Sequence, residues 1–180
     1  AIYRSRMAIA DGGELIVIAP GVERFGEQKE VDDMIRRYGY KGTPHTLDAY
    51  EKDADLQDLG HAAAHLIHGS SEGRFTITYA PGKLSKEEIE SVGYNYMHLD
   101  EALRVYNPDA LKEGFNTVNG ELIYFAGSPS LGLWTAKDKF VRSIRENKSF
   151  AARMSDKYPE EVVWKQLVEW DDEDLAKYFG

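Results

Sequence analysis

Three short apolar runs constrain this chain most: Glu14–Ala19 (ELIVIA), Phe75–Tyr79 (FTITY) and Glu121–Ala126 (ELIYFA). Each has the length of a strand, and the first is apolar almost without interruption. Such a run fits a strand covered on both faces, as in a parallel sheet. Helical patterning separates the runs. The alternation predicts an α/β fold: an open, mainly parallel, Rossmann-like sheet with helices on both faces. The runs also end alike, in Ala19-Pro20-Gly21, Ala80-Pro81-Gly82 and Ala126-Gly127-Ser128-Pro129. In an open parallel sheet, ligands bind outside the carboxyl ends of the strands, and small residues there let backbone approach a ligand. A strand also needs a breaker, which accounts for part of the pattern.

The densest polar chemistry lies in Gly60–Gly82, read as helix, turn, strand, turn. His61, His65 and His68 follow helical spacing and share one face. Two readings stand: the imidazoles converge on a site, or Ala62-Ala63-Ala64 packs on the sheet and the histidines flank that contact. HAAAH has no Glu after its first His, so it is not the zincin pattern. A metal-dependent hydrolase built on this face would need a carboxylate or a third ligand that the spacing does not supply.

Elsewhere, Ala1–Ala10 reads as the end of an amphipathic helix stopped by Asp11-Gly12-Gly13, suggesting a fragment of something longer. A charged helix is expected over Glu27–Tyr38, another from Thr46 to Tyr50, and a linker turn over Asp53–Asp58. Ser85-Lys86-Glu87-Glu88 is a capping box. A short strand is expected at Tyr94–Met97, and Asp100 is read as the cap of Glu101–Val105. Asn107-Pro108 reads as the start of a helix ended by Gly114. Beyond Trp134 the pattern is helical, giving an α/β domain over residues 1–134 and a helical extension packed on it over 135–180.

A 180-residue chain supports one domain with an appendage. Its net charge of −9 opposes nucleic acid and anionic membrane as partners. It has no Cys, hence no disulfide and no thiolate metal site. No apolar run approaches the roughly 20 residues of a membrane span, and no signal peptide is visible. A cytoplasmic protein is expected. Neither G-x-G-x-x-G nor G-x-x-x-x-G-K-[ST] occurs, so the layout does not imply a nucleotide.

Four segments in order resemble the C-terminal domain of the nickel-dependent lactate racemase family. Asp11-Gly12-Gly13 with ELIVIAPGVERFG is similar to its opening strand and loop. AHLIHGSSEGRFTITYAPG with Leu84–Glu90 is similar to its second unit. Tyr94–Leu103 is similar to its short strand and acidic helix start. Ser128–Trp134 (SPSLGLW) resembles a segment of homologues acting on larger hydroxy acids. The resemblance covers about residues 1–134.

It implies a parent that racemises or epimerises 2-hydroxy acids with a nickel-pincer nucleotide. Hydride leaves the substrate's alpha carbon for the cofactor's pyridinium ring, one of two histidines takes the hydroxyl proton, and hydride returns to the other face. The family's nickel-ligand His, cofactor-bound Lys and base histidines lie in an N-terminal domain outside this sequence. Its substrate-side Gln and Lys fall before Ala1, its substrate-side Trp aligns near Gly60, and its cysteine after the first strand is replaced by Pro20-Gly21. The resemblance therefore implies no catalytic residue, metal or cofactor on this chain, the missing N-terminal domain as a partner, and a 2-hydroxy acid other than lactate as substrate. The substrate-side candidates are Gly21, Glu23, Arg24, His61, His65, His68, Ser70 and Trp134. The alternative is a stand-alone α/β module that binds a small molecule or a protein without chemistry. Simple βαβ geometry puts the turn carrying His68 and Ser70–Glu72 at the edge opposite the crevice, so that segment either breaks the simple topology or serves structure.

Overall fold

The computed structural model describes residues 2–6 and 8–127. The chain divides into two units, Ala1–Trp134 and Thr135–Gly180, and the described residues all belong to the first. That unit is an α/β domain. Strands β1 (Glu14–Ala19), β2 (Thr76–Pro81) and β3 (Asn95–Tyr96) form a parallel sheet in the order β1-β2-β3. Glu14 pairs with Thr76 and Ala19 with Pro81, so the first two strands start and end together. Before β1 comes α1 (Ile2–Ser5). Between β1 and β2 run α2 (Lys29–Tyr38), α3 (Thr43–Lys52), α4 (Ala54–Asp58) and α5 (Gly60–His68). Then α6 (Lys86–Ser91) joins β2 to β3, and α7 (Leu99–Val105) follows.

Side chains alternate across β2. Ile77 and Tyr79 face the main core, with Val31 and Ile35 of α2, Leu56 of α4, Ala62, Ala63 and Leu66 of α5, and Ile89 of α6. Thr78 and Ala80 face the other way, where Thr78 hydrogen-bonds Glu14 and α7, whose Ala102 is fully buried, touches β1 and β2. The sheet thus carries helices on both faces, with the thicker layer on the α2–α6 side.

Several elements follow local codes. Ser85 Oγ accepts the Glu88 N–H at 3.2 Å while Glu88 Oε2 accepts the Ser85 N–H at 2.7 Å, a complete capping box. The stretch expected as a linker turn at Asp53–Asp58 is instead helix α4. Asp53 caps it through the Asp55 N–H at 2.9 Å and also binds Tyr38 and Arg37, and Leu56 of that helix is fully buried. The cap of α7 is His98, whose Nδ1 accepts the Asp100 N–H at 3.3 Å, in place of Asp100.

The third apolar run does not join the parallel sheet. β4 (Gly114–Val118) and β5 (Glu121–Phe125) form a separate antiparallel hairpin. Asn119 and Gly120 take φ of 51° and 85°, the two positive values that a tight hairpin turn needs. That turn reverses the chain within two residues, which a parallel partner cannot accommodate. No helix occupies 107–113, where Ala110 and Leu111 donate to the Asn107 carbonyl in a turn.

The segment after α5 has a structural role. Glu72 adopts φ 53°, its N–H donates to Ser70 Oγ, and its carboxylate accepts the Thr43 N–H at 3.0 Å and the Thr43 hydroxyl at 2.9 Å. Thr43 is the first residue of α3, so Glu72 satisfies an amide at that helix start from 29 residues away. Arg6 adds a charge at 3.5 Å. Burial raises the Glu72 pKa, but the hydrogen bonds from Thr43 and Ser70 and the Arg6 charge outweigh it and hold the carboxyl below its ordinary value. The stability linked to a depressed carboxylate is present above the unfolded pKa of about 4.3 and is lost as pH falls through the folded value. Thermal melts of wild type and Glu72→Gln will therefore converge as pH drops from 6 toward 3. A gap that stays constant over that range contradicts the capping role.

Candidate functional site

The carboxyl edge of the parallel sheet gathers three loops. Because Ala19 and Pro81 are in register, the loop Pro20–Gly26 leaves β1 beside the loop that leaves β2 at Gly82. The Gly82 N–H donates to the Ala19 carbonyl at 3.2 Å, and a Cβ at Gly82 would collide with the Pro20 carbonyl. The absence of a side chain there lets the two loops fuse into one wall. Across the junction, Lys83 Nζ donates to Glu23 Oε2 at 2.9 Å. This hydrogen bond, with the Lys83 and Arg24 charges, holds the Glu23 carboxyl below its ordinary pKa. The third loop follows β3, with the Met97 N–H bound to Tyr79 O at 3.0 Å and His98 next in sequence.

The β1 loop is held from below by a buried carboxylate. Asp32 of α2 is 7% exposed, and its Oδ1 accepts the Phe25 N–H at 2.6 Å. Arg36 Nε donates to Asp32 Oδ2 at 2.6 Å, and its Nη1 to Glu88 at 2.8 Å. The Arg36 guanidinium also lies 5.2 Å from the centre of the Phe25 ring. Burial pushes the Asp32 pKa up, but the bonds from Arg36, Phe25 and Gly26 outweigh it and the net shift is downward. Gly26 is required here too, since a Cβ would lie 2.7 Å from Val31 Cγ1 and 2.9 Å from the Asp32 nitrogen. The loop is thus anchored at Phe25 and Gly26, while Gly21, Glu23 and Arg24 stand exposed on it.

The sequence candidates divide by edge. Gly21, Glu23 and Arg24 belong to the carboxyl-edge wall. His61 lies in the first turn of α5, exposed. His68 and Ser70 sit at the other end of that helix, before β2 begins. Ser70, 2% exposed, holds the Glu72 N–H, and the His68 ring packs 4.1 Å from the Tyr3 ring. The structure therefore does not bring His68 and Ser70 to the crevice edge. His65 is exposed beside Tyr40, with its Nδ1 3.4 Å from the Tyr40 hydroxyl. Partial desolvation there, followed by the neighbouring His68, lowers its pKa. Ala62, Ala63 and Leu66 face the core while His61, His65 and His68 face out, which gives the packing arrangement in part: Ala64 is exposed, and α5 packs mainly on α2, α3 and α4. Trp134 and the segment from Ser128 onward lie outside the described residues. The third strand ending belongs to the hairpin, so it does not extend this wall.

Sequence reasoning passed over Lys83, Asp32 and His98. Lys83 was findable from its place directly after the Pro81-Gly82 ending. Asp32 was not, because beyond Arg36 on its own helix its partner Phe25 lies on a preceding loop that only the fold brings back.

Among the described residues, no group of three or more His, Cys, Asp and Glu side chains is placed to hold a metal ion. On the wall, Lys83 and Arg24 offer hydrogen-bond donors and Glu23 an acceptor. No helix among the described residues is long and apolar enough to cross a membrane.

No protein-family model matches the chain. No curated protein matches it either. Among solved structures it is similar to a Thermotoga maritima protein whose crystal structure comes from the Northeast Structural Genomics Consortium, at 21% identity and a TM-score of 0.47. The similarity covers 62% of this chain and 30% of that one.

Proposed function

We propose that this chain is the C-terminal domain of a 2-hydroxy-acid racemase or epimerase, supplying one wall of a site whose chemistry sits on a separate N-terminal domain. The observation that supports this most is the carboxyl-edge wall, where Glu23, Arg24 and Lys83 stand on two fused strand-end loops with no core to fill. Ligands of open parallel sheets bind at this edge, and sites at domain interfaces are common. The order of the segments similar to the lactate racemase family supports the chemistry of the far wall.

In this reading the nickel-pincer nucleotide belongs to the N-terminal domain. This chain's part is to bind and orient. Arg24 takes the substrate carboxylate through its planar fork of donors, while Glu23 and Lys83 stand beside it. Holding the acid in one geometry lowers the barrier by removing orientational freedom before reaction. The test is to express the complete reading frame that contains this sequence and assay interconversion of the C2 epimers of polyhydroxy acids. A frame without the histidine and lysine motifs upstream of Ala1 would overturn the reading in favour of a binding module.

A further inference from the structure

We propose that Lys83, oriented by Glu23, is a substrate-specificity residue that reads the hydroxyl-bearing chain of a polyhydroxy acid. The identity of the acid rests on the function proposed above; the binding site itself rests on geometry.

The Glu23–Lys83 pair is not placed like an ordinary surface ion pair. Its partners are 60 residues apart and meet because Ala19 and Pro81 are in register and Gly82 lets the loops touch. Pairs such as Lys29–Asp33 and Lys52–Asp48 lie four residues apart along one helix and serve that helix. The long-range Arg74–Asp11 and Arg36–Glu88 pairs also hydrogen-bond backbone or a buried carboxylate, through Arg74 to the Arg6 and Ile9 carbonyls and Arg36 to Asp32. The Glu23–Lys83 pair supports no helix and covers no core. Both side chains are more than half exposed, at 58% and 59%. An exposed pair adds little to stability, so its worth to the fold is small.

Its chemistry suits a diol. The ammonium only donates and the carboxylate only accepts. Neighbouring hydroxyls on a polyol chain can each do both, so one can accept from Lys83 while the other donates to Glu23. A simple apolar side chain on the acid would strip water from both charges and give no hydrogen bond in return. The pair therefore favours hydroxylated acids and disfavours apolar ones. With Arg24 next to Glu23 in sequence, one loop carries the carboxylate donor and half of the diol reader. The wall also carries two cations against one anion in a chain of net charge −9, a local attraction for an acid substrate.

The experiment has two arms. In the first, the 180-residue chain is titrated with sodium gluconate, and backbone amide shifts are followed by NMR, with sodium propionate as the apolar control. Saturable shifts at Glu23, Lys83 and the neighbouring loop amides, seen with gluconate and absent with propionate and in Lys83→Ala, support the site. Equal responses to both acids, or none, overturn it. In the second arm, the full-length protein is assayed on gluconate. Lys83→Ala is expected to raise KM about tenfold or more with kcat changed less than about threefold, and Lys83→Arg to recover most of the loss, the pattern of lost binding rather than lost chemistry. A kcat loss with KM unchanged overturns the specificity role. Gluconate shifts without any turnover keep the diol site and remove the racemase reading.

Discussion

Gly82→Ala lowers the stability of this domain by about 3 kcal/mol, or roughly 10 °C in melting temperature. The cause is a backbone collision. The new Cβ would overlap the Pro20 carbonyl oxygen and lie 2.7 Å from its carbon, and neither can rotate away as a side chain would. Relief requires parting the ends of β1 and β2, which breaks the Gly82–Ala19 hydrogen bond and carries Lys83 away from Glu23. Gly21→Ala is the control, because a Cβ there meets nothing within 4 Å. It should change stability by no more than about 0.5 kcal/mol. Equal melting temperatures for the two variants, measured by calorimetry, would mean that the loops are not fused as described.

Under the proposed function, Arg24→Ala in the full-length protein is expected to reduce kcat/KM on a 2-hydroxy acid by about 30- to 1000-fold. A loss of that size requires the N-terminal domain to close water out of the exposed Arg24–carboxylate contact, since a solvated contact contributes far less. Arg24 is exposed on a loop whose anchors are its neighbours: Phe25 bonds Asp32, and Gly26 packs against Val31. Truncating Arg24 leaves those anchors intact, so the fold should persist and the loss should be one of binding. Arg24→Lys keeps the charge but not the fork, and should recover only part of the rate. A change below about threefold in Arg24→Ala, with an unaltered melting temperature, would leave the loop as ordinary solvated surface.

What the sequence made legible is what local rules encode. Glu14–Ala19 announced a parallel strand by its apolar run, though as an edge strand of the described sheet it is half-buried and not covered as the run suggested. Ser85–Glu88 announced a cap by its spacing, and Ala62-Ala63 with Leu66 announced a packed face. Glu121–Phe125 was misread because ELIYF and ELIVI look alike; only the preceding Asn119-Gly120, a hairpin turn, distinguishes them. The deceptive Asn107-Pro108 start failed because a favourable first residue does not supply an apolar face for a helix to bury.

The site was harder to read. Glu23 and Arg24 were visible from the strand ending, since a loop after a parallel strand is a ligand position. Their support was not. Asp32 reaches back seven residues to Phe25, Glu72 caps a helix 29 residues earlier, and Lys83 meets Glu23 across 60. These contacts depend on register and loop closure, which no local pattern records. The histidine spacing left two readings open, and only the fold separates them. Three imidazoles on one helix face look like a site, yet what the helix buries is Ala62, Ala63 and Leu66, and the histidines are left on the outer side.

The central claim is that this wall serves exchange at the alpha carbon of a hydroxy acid. The most direct measurement follows deuterium on C2 of a single epimer of [2-²H]gluconate during turnover by the full-length protein in ordinary water. The opposite C2 epimer is expected to form and to keep its deuterium, because the proposed mechanism moves the hydrogen as hydride. Epimerisation with the label washed out into solvent, or no epimerisation by a correctly folded protein, would contradict it.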